Sequence, residues 1–474
     1  MQNNEILYHE RFRPQYHFTA PQGWLNDPNG LLYYQGEYHM FYQYNPHDIR
    51  WGDPYWGHAV SQDMIHWEHL PIALEPDALG SIFSGTIVVD AGNTSGFFGE
   101  EGGLVAFFTH HTDSEEYQSM AYSVDRGRTW TKYANNPVLR GGGGVAWKDF
   151  RDPKVLRYHD IWLMIVGGGL YRFYQSEDLI NWTLKSEMAV FEEFPDLFQL
   201  QGSWVLNVNG YEYYTGLMTA QGFQPAQPSR AADFGNSWQA CYTFENMPDD
   251  RCVWIAWMRD SAKGPTAPWR CNMSVPRDLR LVTCGQHKQI VQWPVKELDT
   301  LRTPYFECAD VPVSECDLSA VRGQCLDIEV EFEVLSQEPF GIRCLAHDGR
   351  YTEIGCHPAE NLIYTDTRVA HAEAYDDCLT MFAPKMSAIG NQTTVLGKLY
   401  TAFCPVSQTM NIRILLDNST VEAFFEGGKE VCTTNVYPEP KADGISLFGS
   451  GQRIRSLRVY RMNSIWKSTE KAMV

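Results

Sequence analysis

The absences narrow the field first. No cysteine occurs before Cys241, although the chain has 474 residues and 12 cysteines, and no two of them form a C-x-x-C pair. That spacing fits neither a zinc ribbon nor a small disulfide scaffold, and it points to mostly buried free thiols in a reducing compartment. No stretch approaches the roughly 18 apolar residues that a membrane span needs. The segment Met1 to Ala20 is polar, carries Glu5, Glu10, Arg11 and Arg13, and has no apolar core of a secretory signal. A cytoplasmic protein with no membrane partner is therefore expected, a secreted form with its leader trimmed being the alternative. Basic residues are in deficit: 38 Lys and Arg stand against 58 Asp and Glu, for a net charge of −20. Such a surface repels a phosphate backbone, so nucleic acid is not an expected partner. His66-Trp67-Glu68-His69 lacks the H-E-x-x-H spacing of a zinc site, and the glycine run Gly141 to Gly144 lacks the G-K-[ST] ending of a phosphate loop. That run reads as surface slack, or as a flexible rim loop. No metal or organic cofactor is expected.

What is present is apolar, aromatic and strand-like. Hydrophobic residues make up 44% and aromatics 14%, with 15 Trp and 25 Tyr. Rings suit strands and sugar faces alike, though any single ring more often packs a core. Leu31 to Tyr34, Gln35-Gly36 and Glu37 to Tyr42 read as a hairpin, as do Val155 to Tyr158, His159-Asp160 and Ile161 to Val166. Few stretches have a helical period. A repeat runs through Ser61-x-Asp63 with Trp67, Ser123-x-Asp125 with Trp130, and Ser176-x-Asp178 with Trp182. Repeats of roughly 50–60 residues in an all-β chain suggest propeller blades, the alternative being chance recurrence of turn residues. Near residue 300 the character changes. Leu298 to Pro304 reads as a linker. Beyond it Leu326, Ile328, Val330, Phe332 and Val334 alternate with acidic residues, the signature of a half-buried strand. Ile412 to Leu416, Asp417-Asn418 and Val421 to Phe425 form a further hairpin, so a β-sandwich is expected there.

Three acidic segments could carry chemistry. Glycoside hydrolysis commonly uses two carboxyl groups, one protonating the leaving oxygen and one attacking the anomeric carbon or activating water. In Trp24-Leu25-Asn26-Asp27-Pro28-Asn29-Gly30, Pro28 pushes Asp27 to an extended conformation, and neighbouring amides can donate to its carboxylate. In Phe150-Arg151-Asp152-Pro153, Arg151 can steady the carboxylate or grip a hydroxyl-bearing substrate. In Glu192-Glu193-Phe194-Pro195-Asp196, an apolar surround suits a general acid, and in an extended chain only one of the two glutamates enters a site. Taken singly, each segment is equally well an ordinary turn, a surface ion pair or an outer acidic loop.

Together they resemble the signature set of glycoside hydrolase family 32, the invertases, levanases and inulinases: W-x-N-D-P-N-G at Trp24 to Gly30, R-D-P at Arg151 to Pro153, and an E-C-P-like motif at Glu193. Phe41 to Pro46, Trp56 to Ala59, Phe83-Ser84-Gly85 and Pro265 to Arg270, leading into Met273 to Arg277, are similar to the family in the same order. The likeness covers roughly residues 14–300. One departure is Phe194, where the family carries Cys, so a different pH optimum is expected.

The resemblance implies an all-β protein, a five-bladed β-propeller over residues 1–303 followed by a β-sandwich over 304–474. It implies a retaining, exo-acting β-fructofuranosidase that removes terminal fructose from sucrose, fructo-oligosaccharides or fructans such as inulin and levan. Asp27 would be the nucleophile, Glu193 the acid/base and Asp152 the transition-state stabiliser. Asn26, Gln43, Trp51, Phe83, Ser84, Arg151 and Trp269 would form the fructose pocket, with Trp51 and Trp269 as apolar walls or, alternatively, as core. Retention implies carboxyl groups about 5–5.5 Å apart. A fructosyltransferase using the same carboxylates and a non-catalytic fructan-binding protein are the competing readings.

Overall fold

The computed structural model describes residues 8–141, 148–219, 222–260, 265–370 and 399–466. Most of the glycine run Gly141 to Gly144 lies outside these residues. The described chain is built from strands, and its helices are four short 3-10 turns, the longest being Lys296–Leu301.

Five sheets follow one another in chain order, led by the strands Gly23–Tyr34, Ser81–Asp90, Phe150–Tyr158, Pro195–Leu200 and Trp238–Thr243. Each leading strand touches the next, and Trp238–Thr243 touches Gly23–Tyr34 again, so the sheets close into a ring. A ring of sheets led from the centre is a β-propeller. The short strand Trp269–Arg270 lies parallel to Gly23–Trp24 and fastens late chain onto the first sheet.

The local rules that build these sheets are the expected ones. Tyr34 pairs with Glu37 across Gln35 and Gly36, both at positive φ, as a two-residue hairpin requires. The Ser-x-Asp repeat is a turn used three times. Ser61, Ser123 and Ser176 donate to Asp63, Asp125 and Asp178 at 3.0, 2.8 and 2.9 Å. The indole N–H of Trp67, Trp130 and Trp182 then caps a turn carbonyl, on Met64, Gly127 and Leu179. Each turn joins the third and fourth strands of one of the first three sheets.

Two further sheets pack over a separate apolar core that includes Ile328, Val330, Phe332, Ile342, Ile354 and Leu457. This is the expected β-sandwich. The stretch Leu298 to Pro304 is not a loose linker. Leu298 and Leu301 are buried in a 3-10 turn, and Arg302–Pro312 is already a sandwich strand. The apolar alternation there was real, but the joint is itself part of a core.

The two halves are locked by buried charge. The backbone N–H groups of Tyr16 and His17 donate to Asp417 at 2.8 and 3.0 Å. The His17 ring lies between Asp417 and Glu422, 2.8 Å from each. Arg277 closes the network by donating to Glu422 and to Gln292. Burial opposes charge on His17, but its hydrogen bonds to Asp417 and Glu422 and their charges outweigh that and push it up to about 9. Asp417 was read as a hairpin turn residue. It is also the anchor of the N-terminal segment.

Candidate active site

Three leading strands break register where the motif residues stand. On the first, the pairing slips between Leu25 and Pro28, around Asn26 and Asp27. On the second it slips between Ile82 and Gly85, around Phe83 and Ser84. Opposite Arg151 and Lys154 it slips between Ile165 and Gly167. Such bulges re-aim side chains out of the regular alternation, and here they direct them to a common centre. At Gly85 a Cβ would lie 2.0 Å from the Phe107 carbonyl oxygen, so only glycine lets the second strand make this bend.

Asp27 is half-buried. Ser84 Oγ donates to its Oδ2 at 2.7 Å. The Trp24 indole donates to Asn26 Oδ1 at 2.8 Å, which fixes the amide beside it. Burial pushes the Asp27 carboxyl up to about 6, the Ser84 and Asn26 hydrogen bonds pull against that rise, and the charge of Glu193 adds to it. The sequence reading had the donors dominate; removal of the carboxylate from water is the larger effect.

Asp152 is buried at φ +60°, in the left-handed region, where the following proline favours an extended residue. Its backbone N–H donates to Thr109 Oγ1 at 3.0 Å, and its Oδ2 accepts from Phe194 N at 3.2 Å. Burial drives its carboxyl well above the ordinary range, the Arg151 cation opposes this, and the charges of Glu193, Asp27 and Glu116 reinforce it. Asp27, Asp152 and Glu193 thus feel one another's charge.

Glu193 sits between the strands Thr183–Phe191 and Pro195–Leu200. Arg151 donates to its Oε2 from Nε at 3.1 Å and from Nη2 at 3.0 Å. Asn209 Nδ2 approaches both Glu193 Oε1 and Glu192 Oε1, at 3.4 and 3.3 Å. The opposite-face reading of the two glutamates does not hold, because this segment is a turn with Phe194 at φ +56° rather than an extended strand. Tyr171 Oη donates to the Glu193 carbonyl at 3.0 Å and holds that turn. The Phe194 ring goes inward against Tyr242, 4.3 Å between centroids, and so packs core below the acid.

The other expected pocket residues divide. Gln43 is buried, its amide held by a 3.0 Å hydrogen bond to the Ile82 carbonyl. The Trp56 indole donates to the Phe83 carbonyl at 3.0 Å and fixes the backbone next to Ser84. Trp51 is 56% exposed and meets Phe83 edge-on at 6.0 Å, so it is surface rather than core. Trp269 is only 2% exposed, clusters with Phe12 and Tyr437, and has the Arg13 guanidinium over its ring at 4.7 Å. Its ring follows the core alternative, because the N-terminal segment supplies packing partners that a local reading does not contain.

Two residues were missed. Glu116 is buried and accepts from Arg151 Nη1 at 3.1 Å and from Phe150 N at 2.8 Å. His111 Nδ1 donates to Glu116 at 2.9 Å, while its ring stacks on Phe83 at 4.1 Å and 7°. The one local signal is the turn Thr112 to Glu115, which makes Glu116 and His111 cross-strand partners.

Known proteins match this arrangement along the whole chain. The model described as the Glycosyl hydrolases family 32 N-terminal domain matches residues 17–294, and that of the family 32 C terminal matches residues 297–461. The levanase of Bacillus subtilis (strain 168) is 37% identical over 98% of this chain and 72% of its own length. The chain spans 53% of a levanase from Bacillus sp. (strain L7) and 34% of a fructan β-fructosidase from Streptococcus mutans. The crystal structure of exo-inulinase from Aspergillus awamori superposes with a TM-score of 0.86 at 27% identity, covering 97% of this chain and all of that one. The two family matches cover most of the chain, and the chain belongs to glycosyl hydrolase family 32, as a glycoside hydrolase of β-propeller and β-sandwich architecture.

Proposed function

We propose that this chain is an exo-acting, retaining β-fructosidase that removes terminal β-D-fructofuranosyl units from sucrose, fructo-oligosaccharides or fructans. The observation that carries the proposal is a hydrogen-bonded cluster of motif residues. Asp152 Oδ2 accepts from Phe194 N, next to Glu193, at 3.2 Å, and Arg151, next to Asp152, donates to Glu193 at 3.0 Å. Ser84 donates to Asp27 at 2.7 Å, with burial and the charge of Glu193 both raising the Asp27 carboxyl. Relatives named levanase, fructan β-fructosidase and extracellular exo-inulinase support the substrate class.

In this reading ionised Asp27 attacks C2 of the fructosyl unit. Protonated Glu193 gives its proton to the departing glycosidic oxygen as the C2–O bond breaks. A covalent fructosyl-Asp27 ester forms, and Glu193, now a carboxylate, takes a proton from the water that hydrolyses it, with overall retention at C2. Asp152 binds fructose hydroxyls and offsets positive charge developing at C2. Asn26, Gln43, Phe83, Ser84 and Arg151 shape the pocket, and exposed Trp51 offers an apolar face at its rim. A reducing, cytoplasmic setting, expected from the cysteine spacing of the sequence, is part of the same proposal.

The experiment is product analysis with sucrose, short inulin and levan oligosaccharides. Free fructose released one unit at a time is the expected result, and the relative rates rank the linkages. Lengthened oligosaccharides at high sucrose would make the chain a fructosyltransferase. Binding without turnover would leave a fructan-binding protein.

A further inference from the structure

The Arg-Asp pair of the centre is suspended from a side-chain lattice on the second sheet. Strand Gly103–His111 supplies Thr109 and His111, and strand Glu116–Ser123 supplies Glu116 and Gln118. Glu116 accepts from Phe150 N, and Gln118 Nε2 donates to the Phe150 carbonyl at 2.7 Å. Thr109 Oγ1 accepts from Asp152 N and donates to Gln118 Oε1 at 2.7 Å. The backbone on both sides of Arg151 is therefore gripped at three points. This grip explains how Asp152 stays in the left-handed region despite Pro153, since such strain persists only where surroundings over-determine it.

The guanidinium is shared in the same way. Its Nη1 edge faces Glu116, which takes 3.2 and 3.1 Å contacts with both carboxylate oxygens, and its Nε/Nη2 edge faces Glu193. Nη1 also meets Asp149 Oδ1 at 3.0 Å and the Lys148 carbonyl at 3.3 Å, but Asp149 is on the surface and Glu116 is buried. Fixing one edge of a planar fork restricts how the other edge meets Glu193, and the buried carboxylate of Glu116 is the rigid partner.

We propose that Glu116 is a positioning residue of the catalytic centre: it orients the Arg151 guanidinium and through it holds the Glu193 carboxyl in line with the leaving oxygen. The inference rests on the acid/base reading of Glu193. Glu116 touches no reacting atom. It acts on the step in which the proton is delivered, so its removal harms substrates in proportion to their need for that proton.

The test compares kcat/KM on sucrose, whose leaving group requires protonation, with kcat/KM on p-nitrophenyl β-D-fructofuranoside, whose leaving group departs without it. Glu193→Gln is measured first. If it loses both activities equally, the acid/base reading itself fails, whatever Glu116 does. Once Glu193→Gln shows the leaving-group split, Glu116→Gln is expected to lower kcat/KM on sucrose by about 10²-fold and on the aryl fructoside by less than tenfold, the size a small misplacement of a catalytic group produces. Both rates come from one preparation, so their ratio does not depend on the folded fraction. Glu116→Asp keeps the charge and shortens its reach. It is expected to recover part of the ratio, and it carries the test if the Gln variant does not fold. Equal losses on the two substrates, or an unchanged sucrose rate, overturn the proposal.

Discussion

The Ser84 hydroxyl, on the leading strand of the second sheet, donates to Oδ2 of Asp27 on the leading strand of the first, at 2.7 Å. This bond favours the ionised carboxylate and works against burial, which raises it. A nucleophile must be ionised, so activity is lost as pH falls through the Asp27 value. The pH profile of kcat/KM is expected to have an acidic limb near pH 6. Ser84→Ala removes a stabiliser of the charged form and should move that limb to higher pH. A limb that stays in place in the variant would detach it from Asp27.

Asp27→Asn keeps the shape of the side chain and removes the charge that attacks C2. Turnover of sucrose should fall by on the order of 10⁴-fold or more, with the unfolding temperature changed little. Initial rates and a thermal melt on the same preparation check both halves. Rates within tenfold of the parent would remove Asp27 from the nucleophile role.

His17 bears on stability rather than chemistry. It is buried between Asp417 and Glu422, and its loss leaves two buried carboxylates short of a partner. His17→Ala is expected to cost about 3–5 kcal/mol in denaturant unfolding, the scale for breaking a buried ion pair. The pH dependence has a definite sign. A histidine raised to about 9 in the folded chain contributes fully below its unfolded value near 6.5, and the contribution is lost as pH rises through 9. The parent should therefore lose stability between roughly pH 6.5 and 9, and the variant should lose less over that window.

Much of the architecture was legible because its signals are local. The Gln35-Gly36 hairpin and the three Ser-x-Asp turns depend on residues only a few positions apart. The motif carboxylates were legible through proline and amide neighbours, which mark strand edges. The conformation of Asp152 was not, because the rule for a residue before proline is overridden by contacts from Thr109 and Phe194, each more than 40 positions away. The turn Thr112 to Glu115 marks Glu116 only as the cross-strand partner of His111; its relation to Arg151 exists only once the second and third sheets stand side by side. The burial of Trp269 depends on Phe12 and Tyr437, from opposite ends of the chain.

The central claim is that Asp27 carries the fructosyl unit covalently. In Glu193→Gln the first step still proceeds with p-nitrophenyl β-D-fructofuranoside, while the second lacks its base, so the intermediate accumulates. Rapid acid quench, proteolysis and peptide mass analysis should find the mass of one dehydrated hexose on the peptide containing Asp27, and its absence in Asp27→Asn. An unmodified Asp27 peptide, or a sugar on Asp152 or Glu192 instead, would contradict the account.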